Sequence, residues 1–246
     1  MANRAQLALQ RVADVLVQEL TSLVEPTQTD PKACAWLTFV ASATLKAFQS
    51  PTREAPPTFS DYLYAREKTA TTTRPQILVN SCQLAPEKLA PVLQEMNAAL
   101  SKGLPTTVNT DFGVSRLIDY LRANIIEVSC LTTDLGLEIP RASMAESVRS
   151  LLSVMAERFE GQSIEVRVPP FSAVQVGAFG QGPTHTRGTP PNLVETNPKL
   201  FLDLATGRLR WNEALTTGQL QVSGAHASQT TAILPVFRVE SLISAS

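Results

Sequence analysis

Histidine is scarce in this chain and is confined to its last third. The two histidines among 246 residues are His185 and His226. A metal site ligated by histidine, or a histidine general base, is therefore excluded for any site built from residues 1–184 alone. Cysteine is also rare, and an odd total of three is typical of a reducing compartment rather than of a disulfide framework. Cys82 and Cys130 lack a histidine partner nearby in the sequence, which disfavours them as nucleophiles.

The chain also lacks an excess of charge of either sign and lacks any long apolar run. It carries 21 basic and 22 acidic residues, so no basic field is available for nucleic acid and no nucleic-acid partner is predicted. No stretch approaches 18 uninterrupted apolar residues, so we expect no transmembrane segment. The first residues lack the apolar centre and cleavage site of a signal peptide. The expected location is the cytoplasm.

What the chain does contain is enough apolar sequence for a sizeable core, organised in its first part as helices. Apolar residues make up 43% and charged residues 17%, which is typical of folded rather than disordered chains. Apolar residues recur every three or four positions from about residue 3 to 24. Further helices are predicted from Asp30-Pro31 to about 48, at 62–69, at 86–102 and at 114–135. The four longer helices indicate a bundle.

From about residue 141 the pattern changes to strands and short helices. A helix at 144–159 precedes segments that alternate with period two, which predict strands at 163–168, 171–176 and 184–187. A short strand at 194–196, helices from 198 and from 211, and a strand from 220 follow. This order predicts the α+β class with an antiparallel sheet, and two domains, 1–140 and 141–246.

Several motifs in the C-terminal portion carry a resemblance to a known family. They are EVRVPP (165–170), HTRGTPPN (185–192), LATGRL (204–209) and VSG (222–224). With their surroundings they closely resemble the sterol-carrier-protein-like family of actinobacteria, a branch of the sterol carrier protein type 2 superfamily. The resemblance implies an antiparallel sheet covered by helices over an apolar tunnel, which in the wider superfamily holds fatty-acyl or sterol-like ligands. An apolar small molecule or acyl ligand is therefore the expected partner.

The segment 112–135 resembles, more weakly, the last bundle helix of DinB-like proteins. It is most similar to the mycothiol-dependent maleylpyruvate isomerase family, in which this helix carries a Glu-x-x-x-His pair of metal ligands. Glu127 occupies the glutamate position, but Leu131 occupies the histidine position. The family's other histidine ligand has no counterpart before residue 185. The resemblance therefore implies a degenerate site in a DinB-like four-helix bundle, with no metal and no cofactor.

The candidate ligand-binding residues lie in the C-terminal portion and fit two interpretations. In the functional one, Arg187 anchors an anion, His185 and Asn192 orient the ligand at a pocket mouth, and apolar residues line a tunnel. In the structural one, Gly188 and the two prolines shape a crossover, Arg187 pairs with Glu195, and the apolar residues form ordinary core. The predicted set is His185, Arg187, Asn192, Phe201, Leu204, Arg208 and Trp211. Arg208 is equally well placed to contact the last carbonyls of its helix.

Two other charged features also leave alternatives open. Glu127 lies among apolar residues and is either paired with Arg122 or Arg116, or is a buried acid with a raised pKa. Glu165 and Arg167 share one face of a predicted strand and suggest a charge pair.

The leading hypothesis is a non-catalytic protein that binds a small molecule or lipid through its C-terminal domain. The alternative is a metal-independent, thiol-dependent isomerase or transferase that uses His185, Arg187 and Glu127 at the domain interface. No serine nucleophile elbow and no phosphate-binding glycine loop supports a further enzyme class, so no catalytic residue is assigned.

Overall fold

The computed structural model describes residues 4–69, 88–177 and 191–241. The chain divides into two compact units. The N-terminal unit consists of Met1–Ser143 and Ser241–Ser246, and the C-terminal unit consists of Met144–Glu240. The first is built mainly from helices and the second combines helices with a four-stranded sheet. The predicted α+β class is confirmed.

Five helices dominate the N-terminal unit. They are α1 (Arg4–Ser22), α2 (Pro31–Phe48), α3 (residues 59–69), α4 (Leu89–Leu100) and α5 (Leu117–Asp134). Helix α1 packs beside α4 and α5, and α2 packs beside the same two helices. The four longer helices therefore form a closed bundle whose apolar faces point inward, as their periodicity predicts.

The start of α2 and the position of proline in α4 follow the sequence signals. The Asp30 side chain accepts hydrogen bonds from the backbone N–H groups of Lys32 and Ala33, at 3.0 and 2.9 Å. These bonds satisfy donors that have no partner inside the helix. Helix α4 begins at Leu89, which places Pro91 in its first turn. Proline is tolerated there because the missing N–H has no acceptor within the helix.

The prediction of a helix from Val114 is wrong for its first three residues. The segment forms a hairpin of β1 (Thr107–Thr110) and β2 (Gly113–Arg116), which pair in antiparallel register before α5 begins. Val114 has the right spacing from Leu117 and Ile118 for a helix, which explains the error. The turn before it ends at Gly113, whose φ of 100° favours glycine.

The described residues of the C-terminal unit form three helices and four strands. In order these are α6 (Arg141–Arg158, with its first three residues in the N-terminal unit), β3 (Ile164–Val168), β4 (Ser172–Val176), β5 (Leu193–Thr196), α7 (Pro198–Ala205), α8 (Trp211–Thr216) and β6 (Leu220–Ser223), followed by a 3₁₀ helix, Ala227–Ala232. The strand predicted at 184–187 lies outside the described residues.

The sheet has the strand order β4-β3-β5-β6. Two of its pairs, β3 with β4 and β5 with β6, are antiparallel as predicted. The central pair, β3 with β5, is parallel. Period-two alternation fixes which residues share a face but does not fix strand direction, so the sequence pattern cannot distinguish the two pairings.

The two faces of this sheet differ in chemistry. Strand registers place valines beside one another on one face, and charged or amide side chains on the other. The apolar face includes Val166, Val168, Val174, Val176, Val194 and Val222. The polar face includes Glu165, Arg167, Gln175, Glu195 and Gln221. The apolar face is thus the one that contributes to the core of the unit.

Candidate functional site

The carboxylate of Glu127 forms a buried ion pair inside the N-terminal unit. Arg66 of α3 donates from Nε to Glu127 Oε1 and from Nη2 to Oε2, both at 3.0 Å. The two side chains are only 1% and 2% exposed. This two-point geometry matches the planar guanidinium to the planar carboxylate. The carboxylate therefore has a protein cation as its partner.

Polar and aromatic groups complete the surroundings of this pair. Arg66 Nη2 also donates to Asn124 Oδ1 at 2.6 Å, and the Asn124 amide donates to the Thr44 hydroxyl at 3.1 Å. The guanidinium carbon lies 4.4 Å from the ring centre of Phe112, within the range of a cation–π contact. Burial is the largest single effect and lowers the pKa of Arg66, but the charge and hydrogen bonds of Glu127, together with Tyr62 and Tyr120, outweigh it and the pKa is raised. Arg66 is thus a permanent cation.

The predicted partner of Glu127 was wrong. Arg116 and Arg122 both contact Asp119, at 2.5 and 3.7 Å. They are neighbours of Glu127 in the sequence, whereas Arg66 lies 61 residues away on a different helix. Sequence spacing identifies partners on one helix and cannot identify a partner brought in by packing. Leu131, at the other position of the degenerate site, is buried at 1% exposure.

A second buried carboxyl group, Glu19 on α1, was not predicted as a site. Its exposure is 0%, and it accepts a hydrogen bond from the Ser129 hydroxyl of α5 at 2.9 Å. Burial raises its pKa to about 7, against hydroxyl bonds from Ser143, Ser129 and Thr132 that lower it. The signal was available in the sequence, because Glu19 lies three residues after Leu16 within the apolar stripe of its helix.

In the C-terminal unit, the predicted tunnel residues lie on and after α7. The Asn197 side chain accepts the N–H of Leu200 at 2.9 Å and so begins this helix. Phe201 and Leu204 face inward, at 2% and 3% exposure, and Trp211 is half-buried at the start of α8. These residues are placed in or beside the core.

Arg208 follows the end of α7 and contacts an acidic residue. Its Nε lies 3.6 Å from Asp203 Oδ1, an ion-pair distance that is too long for a hydrogen bond. Its backbone N–H donates to the Asp203 carbonyl at 2.8 Å. These contacts hold the segment that follows α7 against the last turn of this helix.

Asn192 connects two separate parts of the C-terminal unit. Its side-chain amide donates to the Ser163 carbonyl at 2.8 Å, and its amide oxygen accepts the N–H of His226 at 2.8 Å. Asn192 is 2% exposed. Both ends of the amide are therefore engaged by the backbone.

Replacing Asn192 by alanine is expected to destabilise the C-terminal unit by about 1–3 kcal/mol, because two partly buried backbone groups lose their hydrogen-bond partners. Urea unfolding of the ligand-free chain in a Trp36→Phe background, followed by Trp211 fluorescence, measures this loss. The change Asn212→Ala at an exposed position serves as the control and should cost less than about 0.5 kcal/mol. An unchanged stability would contradict the structural role of Asn192.

His185 and Arg187, the polar centre of the predicted ligand site, lie outside the described residues. The predicted pairing of Arg187 with Glu195 therefore stays a prediction. Within the described sheet, Glu195 instead lies 3.9 Å from Arg167, which also donates to Glu165 at 2.5 Å. The predicted charge pair between Glu165 and Arg167 is confirmed.

An open groove of about 350 Å³ lies at the end of the β3–β4 hairpin. It is lined by Arg167, Pro169, Pro170, Phe171, Ser172, Ala173 and Glu195. The cation at its edge, Arg167, is paired with the carboxylates of Glu165 and Glu195. The groove therefore offers no uncompensated positive charge to an anion.

No group of three histidine, cysteine, aspartate or glutamate side chains suitable for a metal ion occurs in residues 4–69, 88–177 and 191–241. In the same part of the chain, no helix is both long enough and apolar enough to cross a membrane.

Comparisons with known proteins concern both parts of the chain. Two crystal structures of mycothiol-dependent maleylpyruvate isomerase, one of them a point mutant, are similar to this chain at 15% identity. The mutant structure has a TM-score of 0.44, with 91% of this chain and 93% of the other covered. For the second structure the TM-score is 0.35, with coverage of 80% and 92%. No curated protein matches. The resemblance predicted for the C-terminal portion is confirmed, since residues 140–236 match the family described as bacterial SCP ortholog.

Proposed function

We propose that this protein is a non-catalytic small-molecule-binding protein, and that its C-terminal domain, residues 141–246, binds an apolar ligand against the valine face of its sheet. The observation that carries the proposal is the family match at 140–236, which spans this entire sheet. The ligand class we propose is a fatty-acyl or other elongated apolar molecule with one hydrogen-bonding group.

The incomplete cover of the valine face supports this proposal. The central residues Val166 and Val194 are 1% and 2% exposed. Val174 and Val222, on the two outer strands, are only half-buried. Apolar surface that the protein leaves partly open gains free energy when a ligand covers it, at roughly 25 cal/mol per Å².

A buried hydroxyl group on the same face supports the proposed polarity of the ligand. Thr196 faces the same side of the sheet as Val194 and is 4% exposed. Its Oγ1 has no hydrogen-bond partner among the described residues. Ligand sites are mostly apolar with a few placed polar groups, and a buried unpaired hydroxyl suits the polar group of such a ligand.

The first test uses displacement of an environment-sensitive fluorescent fatty acid, with native mass spectrometry of the same samples. Val222→Phe fills the half-open part of the valine face and is expected to weaken binding at least about tenfold, which corresponds to roughly 1.4 kcal/mol. The matched control is Gln221→Phe, one residue away on the polar face of the same strand. Failure of the unaltered chain to bind any probe, or equal losses in the two variants, would contradict the proposal.

Thr196→Val tests the hydroxyl separately. This nearly isosteric change is expected to weaken binding of fatty acids while leaving binding of a hydrocarbon of equal length unchanged. Stability should not fall, because the replaced hydroxyl has no hydrogen-bond partner in the described part of the chain. Equal effects on both ligands would show that Thr196 does not contact the polar group.

The enzymatic alternative receives no support from the described residues. Glu127, its candidate acid or base, has both oxygens bound by Arg66 at 3.0 Å. His185 and Arg187 lie outside the described part of the chain.

A further inference from the structure

Glu19 occupies a place in the bundle where charge is hard to accommodate. It is fully buried, and its Oε2 has no hydrogen-bond partner among the described residues. Transfer of an unpaired carboxylate into a protein interior costs far more than transfer of the neutral acid. The geometry therefore favours a neutral carboxyl group as long as α1 stays packed on α5.

The groups around this carboxyl are hydroxyls. Ser129 donates to Oε1 at 2.9 Å, and the hydroxyl of Ser143, in the first turn of α6, lies close enough to lower the pKa of Glu19. Thr132 lies 3.4 Å from the same oxygen, but its hydroxyl has a closer acceptor in the Val128 carbonyl, at 2.9 Å. Hydroxyls stabilise a carboxylate partially, since they carry no net charge that could balance it.

The charged groups on the neighbouring helix α5 contact residues other than Glu19. On α5, Asp119 contacts Arg116 and Arg122, Glu127 contacts Arg66, and Asp134 accepts from Ser241. The remaining titratable groups of the N-terminal unit on these helices are Arg4, Arg11 and Asp14 on α1, Glu95 on α4, Tyr120 and Cys130 on α5, and Arg141 on α6. Of these, Arg4, Arg11, Glu95 and Arg141 are exposed, and none of the seven is among the causes of the shift at Glu19.

We propose that Glu19 makes the packing of α1 on α5 proton-dependent, so that this contact is closed when the carboxyl is protonated and opens more often when it is ionised. The pKa of about 7 in the packed state agrees with this geometry. An exposed glutamate titrates near 4.5, so the open state binds the proton less tightly. Because the folded pKa is the higher one, the stability that the proton adds is complete below pH 4.5 and is lost as pH rises to about 7.

Hydrogen exchange of the full chain tests this proposal, with rates corrected for the intrinsic effect of pH. From pH 6 to pH 8 the opening equilibrium of α1 and α5 is expected to rise about tenfold, as follows from the two pKa values. Glu19→Gln keeps the shape and removes the titration, so its opening should not change over this range. Peptides from β3 and β5 of the C-terminal unit provide the internal control.

Carbon-13 NMR or infrared titration of the carboxyl group gives a second readout that does not depend on unfolding. A signal with a pKa near 7 that disappears in Glu19→Gln is the expected result. A Glu19 carboxyl that titrates near 4.5 would overturn the proposal. It would also be overturned if exchange rose equally in the control peptides, or equally in the Gln variant.

Discussion

Replacing Arg66 by methionine is expected to destabilise the N-terminal unit by about 3–5 kcal/mol, because it leaves the Glu127 carboxylate buried without its cation. The pair is 1% and 2% exposed, so water cannot take the place of the guanidinium. The measurement is urea unfolding followed by Trp36, which is 1% exposed within this unit. A Trp211→Phe background removes the other tryptophan of the chain and restricts the signal to the N-terminal unit.

The matched control is Arg122→Met. Arg122 lies 3.7 Å from Asp119 and its side chain is 33% exposed, so its loss should cost less than about 1 kcal/mol. A double variant, Arg66→Met with Glu127→Leu, should recover most of the lost stability, since it removes both buried charges. The loss in Arg66→Met alone should be smaller at pH 4 than at pH 8, because a proton can then neutralise Glu127. A loss below 1 kcal/mol at pH 8 would show that the pair is not buried as described.

Replacing Gly224 by alanine is expected to destabilise the C-terminal unit by about 3 kcal/mol, from backbone strain and a direct clash. Gly224 has a φ of 100°, a conformation that costs other residues roughly 1–2 kcal/mol. A Cβ at this position would lie 2.2 Å from the Pro191 carbonyl oxygen and 2.5 Å from Asn192 Oδ1. The clash would therefore also disturb the hydrogen bond that the N–H of His226 donates to Asn192 Oδ1.

Gly218→Ala separates the two causes of this loss. Gly218 has a φ of 70°, but a Cβ there would meet nothing within 4 Å. It should therefore cost only the conformational part, about 1–2 kcal/mol. Urea unfolding followed by Trp211 in a Trp36→Phe background measures both variants. Equal losses would mean that the close approach of Gly224 to residues 191 and 192 does not contribute to stability.

Much of the local structure could be predicted from the sequence. Apolar periodicity placed α1, and Asp30-Pro31 placed the start of α2, because caps and amphipathic faces depend on neighbouring residues. The same reasoning failed at Val114–Arg116, where the spacing fits a helix but the chain pairs with residues 107–110. The hairpin is local, but Val114 has the same spacing from Leu117 and Ile118 that a helix would give, so periodicity alone does not place the start of α5.

The contacts of the candidate sites join residues that are far apart in the sequence. The sequence identified Glu127 as an unusual charge but not Arg66 as its partner. The ligand-binding role predicted for Asn192 stays a prediction; its two backbone partners in the structure, the Ser163 carbonyl and the N–H of His226, lie 29 and 34 residues away. Glu19 was not predicted as a site, because the apolar residues around it predict an ordinary core-facing helix.

By itself the sequence determined the α+β class, the position of most elements, the family resemblance of the C-terminal portion, and the exclusion of a histidine-ligated metal site before residue 185. Only the tertiary structure decided which charges meet. It paired Arg66 with Glu127, buried Glu19 among hydroxyls and set β3 parallel to β5. The physical reason is that capping and periodicity act within a few residues, whereas burial and ion pairing depend on which distant elements pack together.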